Sequence, residues 1–195
     1  VASTERRGFV TTGRQVPYKR IDLAVRACSK LNLPLTIIGN GPEHQKIIKL
    51  AGPSCTFITN ASDAEMAELL ASSKVFIFPG LDDFGIAPVE AMAAGTPVIA
   101  YQAGGALDYV VPNKTGLFFK EQSVDSLIKA IRDLEKIKFK QSEIVDFSHT
   151  FSAVNFKNQF IKLFKTKGSV FIQQDWNGQT KTSIATSNYS NVESR

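Results

Sequence analysis

The sequence predicts a doubly wound α/β domain, a parallel sheet with helices on both faces, on three observations. Short apolar runs alternate with stretches of helical periodicity from about residue 9 to residue 164. One run, Val75-Phe76-Ile77-Phe78, is apolar on both faces, as a central strand covered by helices on either side must be. Glycines and charged residues gather just after the strands, where an open parallel sheet binds its ligands.

The elements follow in order. Phe9-Val10-Thr11 reads as a short strand. After a turn at Pro17, Ile21, Val25, Cys28 and Leu31 fall at helical spacing. Leu35-Thr36-Ile37-Ile38 is a strand closed by Gly39-Asn40-Gly41-Pro42, and a helix over 43–51 carries Ile47, Ile48 and Leu50. Residues 55–59 form the third strand. Ser62 and Glu65 make a capping box, so a helix runs from there to about Ser72. The central strand follows, then a loop and a short helix around 89–94 ended by Gly95. Residues 97–101 and 117–119 complete five or six strands. Ser123 caps a helix with Leu127, Ile128, Ile131 and Leu134 on its core side, and 151–164 is a final amphipathic helix.

Composition narrows the class. A chain of 195 residues, 43% hydrophobic and 21% charged, is roughly one domain with some surplus. The domain spans 9–165. Residues 166–195, rich in Ser, Thr, Asn, Gln and Gly, read as a disordered tail or linker. Two cysteines, Cys28 and Cys55, each in an apolar stretch, fit buried thiols in a reducing compartment better than a disulfide framework. No apolar run reaches the roughly 18 residues of a membrane span, and residues 1–7 lack the apolar core of a signal peptide. The first residue is Val rather than Met, which fits a fragment. The net charge of +5 is spread along the chain rather than blocked, which argues against a nucleic-acid tail more firmly than against an anionic small ligand.

The loops after the strands hold the candidate site. Gly13-Arg14 and Lys19-Arg20 follow the first strand, Gly39-Asn40-Gly41 the second, Asn60-Ala61-Ser62-Asp63 the third, residues 80–85 the fourth and Gly104-Gly105 the fifth. The most informative stretch is residues 82–97, in which Asp82 and Glu90 enclose seven residues. With a helix starting near Ala87 or Pro88, Pro88 sits in a permitted first-turn position and the free N–H groups suit a phosphate. Asp82 and Glu90 then flank that phosphate without touching each other. Ionised carboxylates only accept hydrogen bonds, so paired sugar hydroxyls are natural partners; Glu90 capping its own helix is the plainer alternative.

Arg14 and Lys19 place two cations on the opposite lip, suited to the charge that develops on a departing diphosphate, or else simply solvated. Gly39 and Gly41 either let a loop approach a ligand or turn the chain. His44 occupies what would be the third glycine of a dinucleotide fingerprint, which breaks that match. No metal-ligand spacing occurs, so His44 and His149 both read as non-catalytic and no metal is expected.

Residues 13–22, Ile38-Gly39-Asn40-Gly41-Pro42-Glu43, Phe78-Pro79 and the whole run 82–97 together resemble the carboxy-terminal, donor-binding half of a retaining GT-B glycosyltransferase of family 4. The resemblance covers about 9–164. It implies a Rossmann-like domain that binds a nucleotide-diphospho-sugar without a metal or other cofactor. It further implies that Arg14 and Lys19 hold the diphosphate, with Gly13 beside them. Glu90 takes the place of the second glutamate of the E-x7-E motif, which holds the ribose, and Asp82 that of the first, which contacts the transferred sugar. Phe84, Gly85, Ile86 and Ala87 match the loop and helix start that face sugar and phosphate. Asn60, Ala61 and Asp63 lie where the family meets the base, largely through main chain.

Two departures stand out. Asp82 is one methylene shorter than the family's glutamate, and Asp83 beside it could substitute. The family's amino-terminal domain, which binds the acceptor, has no room in 195 residues. The expected activity is transfer of a hexose from a nucleotide-sugar, either mannose from GDP-mannose, as the resemblance suggests, or a sugar from a UDP-sugar, to a glycan or lipid-linked acceptor, with a missing or separately encoded amino-terminal GT-B domain as partner. The expected place is the cytoplasm or the inner face of the membrane. A donor-binding module without transfer activity is the alternative; a nucleotide-sugar epimerase and a nicotinamide oxidoreductase fit the motifs poorly.

Overall fold

The computed structural model describes residues 5–166, 171–174 and 180–183. Two units, Val1–Thr150 and Phe151–Arg195, divide the chain. The first contains β1 (Phe9–Thr12), α1 (Ile21–Leu31), β2 (Leu35–Ile38), α2 (His44–Ile48), β3 (Cys55–Ile58), α3 (Asp63–Ser72) and β4 (Val75–Phe78). It continues through α4 (Ile86–Ala93), β5 (Val98–Tyr101), α5 (Ala106–Tyr109), β6 (Gly116–Phe119), α6 (Val124–Leu134) and α7 (Gln141–Ser148).

Six strands form one parallel sheet in the order β3-β2-β1-β4-β5-β6. Strand β4 is buried along its whole length, as its unbroken apolar run requires. Val75 and Ile77 join the core cluster with Ile21, Val25 and Cys28 of α1 and Leu127 and Ile131 of α6. The period of two turns Phe76 and Phe78 to the opposite face. The strand order reverses between β1 and β4, so the connections leaving these neighbours diverge and open a crevice at their carboxyl ends.

The capping box at α3 is present: Ser62 Oγ accepts from the Glu65 amide and the Glu65 carboxylate accepts from the Ser62 amide. Helix α4 begins at Ile86, earlier than its sequence pattern implies, because Gly85 adopts φ +86° as its N-cap. Pro88 is thus its third residue, still in the first turn, where a missing N–H costs nothing. Two short helices were not expected. Helix α5 has four residues, too few to show a period, and α7 buries only Ile144 and Ser148.

The second unit contains α8 (Ala153–Thr166) and a two-stranded antiparallel sheet of β7 (Phe171–Gln174) and β8 (Thr180–Ser183). Within the tail expected to be disordered, these two segments are therefore paired strands; Phe171, Ile172, Thr180 and Thr182 favour extended backbone. The remainder of that tail lies outside the described residues.

Candidate functional site

Three loops interlock at the crevice. The loop after β1 runs through Gly13, Arg14, Gln15 and Val16 into a 3-10 turn at Pro17–Lys19, and the left-handed Arg20 launches α1. The loop after β4 carries residues 79–85, and the loop after β5 carries Gly104 and Gly105. Glycine is required where these backbones meet. A Cβ on Gly80 would stand 2.8 Å from the Lys19 Cα, and one on Gly105 would stand 2.4 Å from the Phe84 Cα. The Gly105 amide also donates to the Asp82 carbonyl at 2.9 Å.

This interlocking brings Lys19 to Asp82. Lys19 Nζ donates to Asp82 Oδ2, and the same ammonium lies 5.3 Å from the Tyr18 ring centre and 5.8 Å from that of Phe78. Both side chains of the pair are mostly shielded, 21% and 13% exposed, so the charges interact in a medium less screening than water. A cavity of about 660 Å³ opens over them, lined also by Gly13, Asp83, Phe84, Gly85, Ile86 and Ala87. The first turn of α4 points its unpaired N–H groups toward this end of the sheet, and a helix N-terminus favours an anion.

Glu90 stands elsewhere. It lines a second cavity of about 520 Å³, between α3 and α4, together with Ala61, Asp63, Met66, Leu70 and Ala94. The two motif carboxylates thus serve different cavities, Asp82 the one before α4 and Glu90 the one beside it. Of the other expected residues, Arg14 is exposed next to Gly13, and Asn60 is exposed at the end of β3. Gly39 and Gly41 are not among the residues lining either cavity. A Cβ on Gly39 would lie 2.4 Å from the Gly13 carbonyl oxygen, and one on Gly41 would lie 2.5 Å from that of Gln15. Close approach of two loops therefore accounts for both glycines.

Two contributors to the site were not legible in the sequence. Tyr109 is buried beneath the β4–α4 loop: a Cβ on Gly85 would meet its hydroxyl at 2.9 Å, and its ring packs edge-on to Phe84 at 5.9 Å. Burial, reinforced by Asp82 and Asp108, pushes its phenol well above the usual range. Gln15, a polar residue in the loop after β1, is fully buried. Only a tertiary view could find either. Among the described residues no group of three or more His, Cys, Asp or Glu could hold a metal ion, and no helix is long and apolar enough to cross a membrane.

A six-stranded doubly wound sheet with a crevice at its switch point defines the class, an open α/β domain whose ligand side is the carboxyl end of its strands. Solved structures narrow the fold to GT-B. Anabaena Alr3699/HepE, crystallised with UDP, superposes with a TM-score of 0.69 at 22% identity, over 83% of this chain and 49% of that one. Sucrose-phosphate synthase from Thermosynechococcus elongatus gives a TM-score of 0.65 at 24% identity, over 82% and 46%. Among curated relatives, a GDP-mannose-dependent alpha-mannosyltransferase of Mycolicibacterium smegmatis is 35% identical over 124 residues, 63% of this chain and 32% of the relative. A GDP-mannose-dependent alpha-(1-6)-phosphatidylinositol monomannoside mannosyltransferase of Mycobacterium tuberculosis is 35% identical over 148 residues, 67% of this chain and 38% of the relative.

The family model for glycosyl transferases group 1 matches residues 2–147, and the chain belongs to that family. It spans about a third of the length of these two curated relatives, 32% and 38%.

Proposed function

We propose that this chain is the donor-binding part of a retaining glycosyltransferase that moves mannose from GDP-mannose to a glycan or lipid-linked acceptor. The observation that carries this reading is the division of labour around α4: a cationic and acidic cavity at its N-terminus, and a less polar cavity holding Glu90 beside it. A nucleotide-sugar has the matching parts, a sugar diphosphate and a nucleoside.

In this reading Arg14 and Lys19 face the diphosphate, and the N–H groups of Ile86 and Ala87 complete its cradle. Glu90 accepts from the ribose hydroxyls, and Asp82, or Asp83 beside it, from the sugar. Asn60, Ala61 and Asp63 face the base. A carboxylate only accepts, and of the common bases guanine offers adjacent N–H donors, so Asp63 favours GDP. The two mannosyltransferase relatives named for GDP-mannose support the same donor. As the glycosidic bond breaks, charge grows on the diphosphate and preorganised cations stabilise it. The departing phosphate takes the acceptor's proton on the same face of the sugar, which retains configuration. This path uses no metal.

The acceptor wall is the amino-terminal half of a GT-B fold, carried by the same longer protein or by a separate chain. Tyr18, Leu81, Phe84 and Ile86 line the first cavity yet are 58%, 50%, 38% and 69% exposed, an apolar rim suited to a covering domain. We also propose a cytoplasmic place, at the inner membrane face. Calorimetric titration with GDP, UDP, ADP, GDP-mannose and UDP-glucose tests the assignment: saturable binding, tightest for GDP and GDP-mannose, is expected, and binding of none of the five removes it.

A further inference from the structure

The loop bearing Arg14 is tied down by a buried polar side chain that the donor-binding reading does not use. Gln15 is 0% exposed, directly beside the exposed Arg14. Its side-chain Nε2 donates to the Gly39 carbonyl at 2.7 Å, and its Oε1 lies 2.8 Å from His44 Nδ1. Its amide donates to the Asn40 carbonyl at 2.9 Å, and its carbonyl accepts from the Glu43 amide at 3.0 Å. On the other side of Arg14, the Gly13 amide donates to the Ile38 carbonyl at 3.1 Å. Arg14 is therefore held from both neighbours, by the end of β2 and by the loop that follows it.

The chemistry of these atoms fixes their roles. A carbonyl oxygen can only accept, so the Gly39 contact orients the Gln15 amide and leaves Oε1 as the acceptor facing His44. His44 must then carry its proton on Nδ1. The imidazole is itself braced, packed edge-on to Phe57 of β3 at 5.7 Å. A buried amide paired at both its nitrogen and its oxygen has one low-energy arrangement, and losing a partner leaves a desolvated polar atom.

We propose that Gln15, held by His44, is a positioning residue that presets Arg14 for the donor diphosphate. The inference rests on the reading of Arg14 as a diphosphate ligand. Fixing the backbone at Arg14 matters because ordering a loose loop on binding costs backbone entropy and a displaced Cα carries the guanidinium away from the phosphate. Neither Gln15 nor His44 need touch the donor. The gain is specific to the diphosphate, because the nucleoside lies at the second cavity, beside α3 and α4.

The test is calorimetry on the 195-residue chain with the nucleoside diphosphate it binds best among GDP, UDP and ADP, and with the matching nucleoside. Gln15→Leu is expected to weaken the diphosphate about tenfold and the nucleoside less than about twofold. In an Arg14→Ala background, Gln15→Leu should produce no further loss, since the residue it positions is gone. His44→Leu should act in the same direction, and His44→Gln should restore affinity by returning an N–H donor. That pair keeps the question answerable if Gln15→Leu does not fold. Equal losses for diphosphate and nucleoside, or additive losses with Arg14→Ala, overturn the inference. A wild-type chain that binds none of the three diphosphates removes the donor-binding reading and this inference together. Binding with an unchanged ratio in both Gln15→Leu and His44→Leu removes this inference alone.

Discussion

Lys19 and Asp82 are 63 residues apart and form an ion pair across the loops that follow two neighbouring strands. The pair sits at the switch point of the sheet, where donor phosphate and sugar are proposed to meet. Each partner therefore neutralises the other until a ligand arrives to share them.

Removing one partner leaves the other shielded and uncompensated. Lys19→Met should cost about 1–3 kcal/mol of stability and lower GDP affinity at least about tenfold. Asp82→Asn should leave GDP affinity within about threefold while weakening GDP-mannose more, because the proposed function places it at the sugar and not at the nucleotide. Urea unfolding and parallel titrations measure both. Equal effects of Asp82→Asn on the two ligands would take Asp82 out of the sugar site.

Glu90 and Asp63 share the second cavity. Glu90→Gln should weaken guanosine and GDP alike, about tenfold, through loss of the charged acceptor proposed to hold the ribose. Asp63→Ala should narrow any preference for GDP over UDP without a comparable loss for UDP. A preference that survives Asp63→Ala unchanged shows that the base is selected by other groups.

Gly85 couples stability to the site. Its φ of +86° and the 2.9 Å approach of a Cβ to both the Phe78 ring and the Tyr109 hydroxyl make alanine unfavourable twice over. Gly85→Ala should destabilise by about 1–3 kcal/mol and displace the start of α4. Thermal unfolding checks the first effect and diphosphate titration the second; a variant as stable as the parent contradicts the packing described.

An alkaline limb of instability is expected from buried acids. Burial, with Cys55 adding, pushes the Cys28 thiol from 9.0 up to about 12, and Tyr109 is raised as well. A raised folded pKa means the unfolded chain releases its protons first, so the stability contribution is complete below about pH 9 and falls through higher pH. Urea midpoints from pH 8 to 11 should decline, and Cys28→Ala should flatten part of the slope. At pH 8 iodoacetamide should label Cys28 only after unfolding; rapid labelling in the native chain contradicts its burial.

The sequence by itself determined what depends on near neighbours along the chain. The apolar run of β4, the capping box at Ser62 and Glu65, the glycines after the strands and the stripe of α6 each state a local preference. Together they define a doubly wound sheet with its charged loops at one end. The family motif in residues 82–97 was equally legible.

Only the tertiary structure decided which loops meet. Parallel strands are joined by long crossovers, so neighbours in the sheet are distant in sequence, as β1 and β4 are. That distance hides the pairing of Lys19 with Asp82, the separation of Asp82 from Glu90 into two cavities, and the place of Tyr109 under Gly85. It also hides the burial of Gln15, whose partners His44 and Gly39 come from the next loop. Local pattern reports which face of an element is apolar; which polar side chain is enclosed depends on what lands on top of it.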